Sequence, residues 1–316
     1  MFEYDMSELN TRLVENLDNN ENMSKVADIG AMFIRTRMRE LSFARRILPP
    51  VPITKAELTR TLENDQLHKI IDIEPNSFAQ TINFRGAPPA RWINGDRYAV
   101  TFFKISTPKF QKNEIELMAY EMPITTLIES SSVKDLQAIE DEAFISGVES
   151  AITESGKTLD VTTFNTVDGL LDRIVFLKLK TLLANTGNTD TQGTHNFDAK
   201  RYVAKTILMN QEDYEKIALW NVEDAGDGYV SQAVIQGATT PMVMGAQIIT
   251  TIKGELVPPG TMYAFTSREY LGHSFMLGDT KFYIDKKDDI VTWSASEYIG
   301  YGIGNAYAIA KVTWTN

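Results

Sequence analysis

Tyr298-Ile299-Gly300-Tyr301-Gly302-Ile303-Gly304-Asn305-Ala306-Tyr307-Ala308-Ile309-Ala310 is the stretch on which the fold of this chain turns. Its small residues, Gly300, Gly302, Gly304, Ala306, Ala308 and Ala310, take every second position, while Ile299, Tyr301, Ile303, Tyr307 and Ile309 lie between them. Strand side chains alternate between the two faces of a sheet, so the pattern predicts one long strand with a bare face and a bulky face. Each glycine weakens a strand by roughly 0.5–1 kcal/mol relative to alanine, and three of them imply that another element approaches the bare face closely. A nucleotide-binding Gly-x-Gly-x-x-Gly loop is excluded, because it would need glycine where Asn305 or Tyr307 stands.

A cover for that floor is legible upstream. Leu136, Ile139, Ala143, Phe144, Gly147, Val148, Ala151 and Ile152 recur at three- and four-residue steps, the spacing of one apolar helix stripe. Ser132-Val133-Lys134-Asp135 has the spacing of a capping box, which predicts a helix starting near Ser132 and stopping by Gly156. Gly302 and Gly304 should then face residues near Ala143, Gly147 or Ala151 across a contact that only small residues permit. Glu140, Asp141 and Glu142 could be read as an acid/base or metal cluster, but the expectation is a solvated or inter-subunit helix face.

The chain has 316 residues, enough to bury roughly three quarters of the surface exposed on unfolding. It contains no cysteine, which excludes disulfides, thiolate zinc sites and cysteine nucleophiles. Met1-Phe2-Glu3-Tyr4-Asp5 is acidic where a secretion signal would be basic, and no uncharged apolar run approaches the roughly 20 residues that span a bilayer. No membrane partner is expected. A formal net charge of -11 argues against a surface built broadly for nucleic acid.

Residues 1–66 read as an arm. Charged helical stretches are broken by Asp18-Asn19-Asn20-Glu21-Asn22 and by Pro49-Pro50-Val51-Pro52. From Lys25 to Leu48 the apolar stripe is narrow, and Arg35, Arg37, Arg39, Arg45 and Arg46 crowd the rest, so the helix needs an outside partner, best supplied by another copy of this acidic chain. Residues 67–121 carry strand signals at Ile70–Ile73, Thr81–Phe84, Tyr98–Ile105 and Ile115–Tyr120, separated by turn residues. Trp92, Tyr98, Phe102 and Phe110 are mixed with Arg97, Lys104 and Lys112 on both faces, a composition suited either to a peripheral sheet or to a loop lying across a neighbour.

Farther on, Val167, Leu170, Leu171, Ile174, Leu177 and Leu182 predict a second helix ending near Asn185. Strands are expected at 201–209, 229–235, 247–252, 262–266, 281–284 and 290–293, with a short helix opened by Asn210-Gln211-Glu212-Asp213. The class is α+β.

Reaction chemistry is sparse. The three histidines, His68, His195 and His273, have no ligand-like companions, and no His-x-x-x-His, Gly-x-Ser-x-Gly or Walker loop is present. Glu223-Asp224-Ala225-Gly226-Asp227-Gly228 has the wrong residues for a calcium loop and reads as a turn. No catalytic residue, metal site or cofactor is expected.

This order of arm, extended two-stranded loop, long helix, second helix and β-rich segment resembles the major capsid protein of tailed bacteriophages, with the Hong Kong 97-type fold. The segments carrying the resemblance are Met122-Pro123-Ile124 through Ile152, including Ile139-Glu140-Asp141; Ile248-Ile249-Thr250-Thr251-Ile252; Glu255-Leu256-Val257-Pro258-Pro259-Gly260-Thr261-Met262-Tyr263; and Glu297 to Asn305. The resemblance implies an N-terminal arm over 1–66, an extended loop over 67–121, a peripheral domain of 122–200 and 283–316, and an apical domain over 201–282. It implies a spine helix on a peripheral-domain sheet and self-assembly into hexamers and pentamers that close an icosahedral shell around DNA held without sequence-specific contacts. Scaffolding, portal and decoration proteins would be further partners, and the protein would reside in the virion after assembly in the host cytoplasm. With the chain starting at Met1, no N-terminal cleavage is expected, and no lysine–asparagine pair for cross-linking is identifiable. The alternatives are an encapsulin-like cellular compartment and a soluble oligomeric enzyme with an unrecognised site. The inter-subunit candidates are Arg35, Arg37, Arg39, Arg45, Arg46, Trp92, Tyr98, Phe102 and Phe110; the packing candidates are Gly147, Gly300, Gly302 and Gly304.

Overall fold

The computed structural model describes residues 42–60, 65–74, 81–87, 90, 92, 95–118, 124–160, 173–184, 202–217 and 242–314. In chain order the first elements are α1 (Phe43–Ile47), β1 (Val51–Ile53), β2 (Thr59–Arg60), β3 (Leu67–Asp72), β4 (Arg97–Thr101), β5 (Phe103–Ser106), β6 (Phe110–Asn113), α2 (Glu114–Met118) and the long helix α3 (Ile124–Ser155). There follow β7 (Thr158–Asp160), α4 (Arg173–Ala184), β8 (Thr206–Asn210), α5 (Gln211–Ile217), β9 (Met242–Val243), β10 (Ala246–Thr251) and β11 (Thr261–Phe265). The chain closes with α6 (Arg268–Leu271), β12 (Gly272–Leu277), β13 (Lys281–Lys287), β14 (Ile290–Ile303) and β15 (Ile309–Thr313). The class is α+β, as the mixture of periodicities predicts.

The chain divides into two compact units, one drawn from Met1–Leu67, Thr101–Ile145 and Ser274–Tyr301, the other from His68–Val100, Ser146–His273 and Gly302–Asn316. These lines differ from the four-part division expected from the sequence. The first unit is organised on β14, which pairs antiparallel with β13 along Ile290–Ser296, with β5 at Ser296–Ile299 and with β6 at Ile290–Trp293. β14 also neighbours β12, and β1 extends that order in parallel with β12. The core of this unit gathers Ile105, Leu117, Val133, Leu136, Phe282, Ile284, Val291, Trp293, Ala295 and Ile299.

The second unit holds a six-stranded sheet in the order β7-β15-β11-β8-β10-β9. Every residue of β11 is buried, as a central strand requires. Val175, Phe176, Leu179 and Leu183 of α4 pack with the sheet residues Ile207, Met209, Ile248, Met262, Ala264, Ala310 and Val312. Helix α5 starts where the polar run predicts: Asn210 accepts a hydrogen bond from the Glu212 amide at 2.9 Å.

Several expectations need correction. The stretch Tyr298–Ala310 is not one strand: β14 ends at Ile303, a turn of 3-10 helix occupies Ala306–Ala308, and β15 joins the other sheet. The break is local chemistry, since Asn305 accepts from the Tyr307 amide at 3.0 Å and the Gly304 amide donates to Leu271 O at 3.1 Å, away from any β14 partner. Helix α3 begins at Ile124, well before Ser132, which is internal and buried, so the predicted capping box is not a cap. Its far end does stop at Ser155, with Gly156 at φ 66° and donating to Ile152 O. Of residues 115–120, expected as strand, the described residues 115–118 belong to a helix, and Thr81–Phe84 carry no strand. The expected elements at 25–41, 161–172 and 229–235 lie outside the described residues.

Candidate assembly surface and buried charge cluster

The segment expected to be an arm enters the core at its end. Ser42 caps α1, its hydroxyl accepting from the Arg45 amide at 3.3 Å and donating to Asp141 Oδ1 at 2.7 Å. Asp141 also accepts from the Ala44 amide at 3.0 Å, so one buried carboxylate of α3 satisfies the first turn of α1. Arg45, expected at a subunit contact, is only 3% exposed and ion-paired within its own chain, which corrects that assignment. Arg46, beside it, is exposed, and Arg35, Arg37 and Arg39 lie outside the described residues.

The Arg45 guanidinium approaches Glu140 with two nitrogens, Nη2 at 2.5 Å from Oε1 and Nε at 2.9 Å from Oε2, a fork-like fit that only arginine offers. Its Nη2 also reaches Glu297 Oε2 at 3.1 Å, and Thr280 Oγ1 donates to the same oxygen at 3.0 Å. Glu140 and Glu297 thus meet at the same guanidinium nitrogen. Glu140 and Asp141, expected on a solvated helix face, are both fully buried; only Glu142 of that run is exposed. Burial pushes the Glu140 carboxyl well above the usual carboxylate range, the Glu297 contact adds to the rise, and Arg45 opposes it. For Arg45, burial is the largest single effect and works against the charge, but the Glu140 hydrogen bond and the negative charges of Glu140 and Glu297 together outweigh it, and its affinity for its proton rises.

The extended segment splits into inward and outward side chains. Phe102 is buried and its amide donates to Leu67 O at 3.0 Å; Phe110 is half-buried against the first unit's core and stands opposite Trp293 in the β6–β14 register. Phe102 is thus a core residue of its own chain, which corrects its assignment, while Phe110 keeps part of its ring exposed. Tyr98 is also held within the chain, its hydroxyl 2.7 Å from His273 Nδ1, and burial pushes its phenol up to about 12. His273 is driven down, first by burial and then by Arg268 and Lys69. Trp92 is different: it is 93% exposed, and Phe84 nearby in sequence is fully exposed.

The glycine floor has a different occupant from the one expected. A Cβ on Gly302 would overlap Val100 Cγ2 and lie 3.2 Å from Tyr98 Cε2, and one on Gly304 would sit 2.6 Å from Tyr98 Cε1. Strand β4 therefore covers the small residues. Helix α3 meets the opposite, bulky face, where a Cβ on Gly147 would lie 3.7 Å from Ile303 Cδ1 and Phe144 meets the Tyr301 ring edge-on at 5.8 Å. Gly300 is buried within β14.

Two clusters of the second unit were not anticipated. Lys157 Nζ donates to Leu183 O at 2.9 Å and to Tyr307 O at 2.8 Å, lying near the Tyr202 and Tyr307 rings, and burial lowers it to about 8. Tyr263 and Lys311 both donate to Glu149 Oε1, at 2.5 and 2.7 Å. No group of three or more potential metal ligands occurs among the described residues.

No protein-family model matches the chain, and no curated protein matches its sequence. Solved structures do match it in shape. The capsid structure of the cyanophage P-SCSP1u aligns over 84% of this chain and 87% of its own at 10% identity, with a TM-score of 0.57. A structure of Microbacterium phage Oxtober96 aligns over 87% and 91% at 11% identity, with a TM-score of 0.58. The crystal structure of a virus-like particle from Pyrococcus furiosus aligns over 92% and 99% at 14% identity, with a TM-score of 0.50. The chain thus has the fold of phage capsid structures, the Hong Kong 97-type fold.

Proposed function

We propose that the chain is the major capsid protein of a tailed bacteriophage, a structural protein whose copies assemble into hexamers and pentamers of an icosahedral shell around packaged DNA. The observation that carries this reading is the fold shared with the cyanophage capsid structure over most of both chains. Two features support it. Trp92 and Phe84 expose nearly their whole aromatic side chains, and such surface is best covered by a neighbouring copy. A net charge of -11 suits a container that must not adsorb the nucleic acid it holds. In this reading residues 67–121 supply the extended loop, α3 the spine helix, and the sheet built on β8, β10 and β11 belongs to the apical domain. Scaffolding, portal and decoration proteins are candidate partners, and the virion is the destination after assembly in the host cytoplasm.

Negative-stain microscopy and light scattering of the purified protein test the proposal. Closed particles or capsomers of uniform size are expected; a monodisperse small oligomer under all assembly conditions overturns it. The likeness to the virus-like particle from Pyrococcus furiosus favours a second reading, an encapsulin-like cellular compartment. The contents of particles formed in the native host separate the two: nucleic acid for the capsid, a cargo protein for the compartment.

A further inference from the structure

The charges around Arg45 do not balance. One guanidinium faces two glutamates, Glu140 from α3 and Glu297 from β14, all three at most 3% exposed. The other titratable groups turned toward them are Asp141 of α3, engaged with Ser42 and Ala44, and the buried phenol of Tyr301 on β14. One guanidinium offsets only one of two buried carboxylates, so the pair is least costly when it holds one proton, which burial and the neighbouring Glu297 charge favour on Glu140. With that proton the cluster is neutral overall, one arginine against one negative charge; without it, an unpaired negative charge is buried.

The position of the cluster gives the proton a mechanical meaning. Arg45 lies in α1, a helix of five residues, and α1 is gripped by consecutive residues of α3, Glu140 through the guanidinium and Asp141 through the helix cap. So short a helix has no stability of its own and stays formed through its contacts, the grip of Glu140 and Asp141 together with the burial of Phe43, Ala44 and Ile47. We propose that Arg45, Glu140 and Glu297 form a one-proton latch: the protonated cluster clamps α1 to α3, and loss of the proton releases α1. The device belongs to the single subunit and acts independently of any shell.

The direction follows from linkage. In the clamped state the Glu140 carboxyl holds its proton far more tightly than when α1 has opened and water reaches it, so opening releases a proton and becomes easier as pH rises. The dependence begins just above the ordinary glutamate range and levels off where the clamped carboxyl itself titrates.

Amide exchange of Ala44 to Leu48 in the full-length chain, corrected for the intrinsic pH dependence of exchange, tests the latch between about pH 5 and 9. Protection in the wild type should fall about tenfold per pH unit over its responsive range, the slope of one released proton. Glu140→Gln should lower that slope to zero, and so should Glu297→Gln, which keeps the test available if either variant folds poorly. Asp141→Asn, which weakens the grip but leaves the pair of Glu140 and Glu297, should lower protection at every pH while keeping the slope. A flat wild-type profile overturns the proposal, as does an unchanged slope in either glutamine variant.

Discussion

Gly302 backs directly onto Val100. A methyl group on the glycine would occupy the space of Val100 Cγ2 and press on the Tyr98 ring, so the bare position of β14 is filled by a side chain of β4. Gly302→Ala should therefore overpack the site and cost about 1–3 kcal/mol. Val100→Ala opens the room the methyl needs, so the double variant should lose less than the sum of the singles, by about 0.5–3 kcal/mol. Urea midpoints of the four proteins at constant slope decide it; strict additivity would mean that the two positions do not meet.

Gly272 should be less forgiving. It sits at φ 153°, and a Cβ there would meet Gly302 O and lie 2.9 Å from Gly304 N and 3.0 Å from Ile303 Cα, all backbone. No side chain can swing aside to make room. Gly272→Ala should cost about 3 kcal/mol or more, exceeding Gly302→Ala, because strain and overlap add. Thermal unfolding of the two variants side by side checks the order.

The alternation of β14 was legible because strand periodicity is a local property, and the end of α3 was legible because Gly156 is a local stop. What covers each face was not. Both a helix and a strand can lie on glycines, and nothing within 298–310 says that Tyr98 and Val100, far away in sequence, would take that place. The charge cluster did leave a trace. Val291, Trp293, Ala295 and Ile299 are the core-facing register of β14, and Glu297 stands among them; Glu140 likewise lies between Leu136 and Phe144 on the apolar stripe of α3. A lone acid on each of two apolar faces signals a shared buried cation, but its identity as Arg45 depends on a chain path that no local pattern encodes. The same blindness assigned Arg45 to a neighbouring subunit along with Arg35, Arg37 and Arg39.

Removing the cation should expose the imbalance. Arg45→Met leaves Glu140 and Glu297 buried with no counter-charge and should cost about 3–5 kcal/mol. Adding Glu140→Leu removes one of the two stranded carboxyls and should recover part of the loss. If the double variant is no more stable than Arg45→Met in urea, the penalty comes from lost packing of the arginine stem and not from buried charge.

Lys157 provides a signature of opposite sign. Its amine is lowered to about 8 by burial, against about 10.4 in an unfolded chain, so between those values the unfolded state binds more protons and stability rises with pH. Comparing wild type with Lys157→Met from pH 8 to 9.5 isolates the contribution before the tyrosines titrate. The wild type should gain stability across the interval relative to the variant; parallel profiles would show that the amine titrates as if exposed.

Trp92 separates the subunit from the assembly. Its side chain is 93% exposed, so Trp92→Ala should change the stability of the isolated subunit by no more than about 0.5 kcal/mol. If a neighbouring copy covers the ring in a shell, the same substitution removes a large aromatic anchor there, and such anchors cost about 2 kcal/mol or more at the centre of an interface. Particles of the variant should dissociate at lower denaturant concentration, while the circular dichroism of released subunits matches that of the wild type. Two results would count against the shell contact. Particles as robust as the parent's would leave Trp92 outside any interface, and a subunit that itself unfolds would place the ring in the subunit's own core, against its exposure.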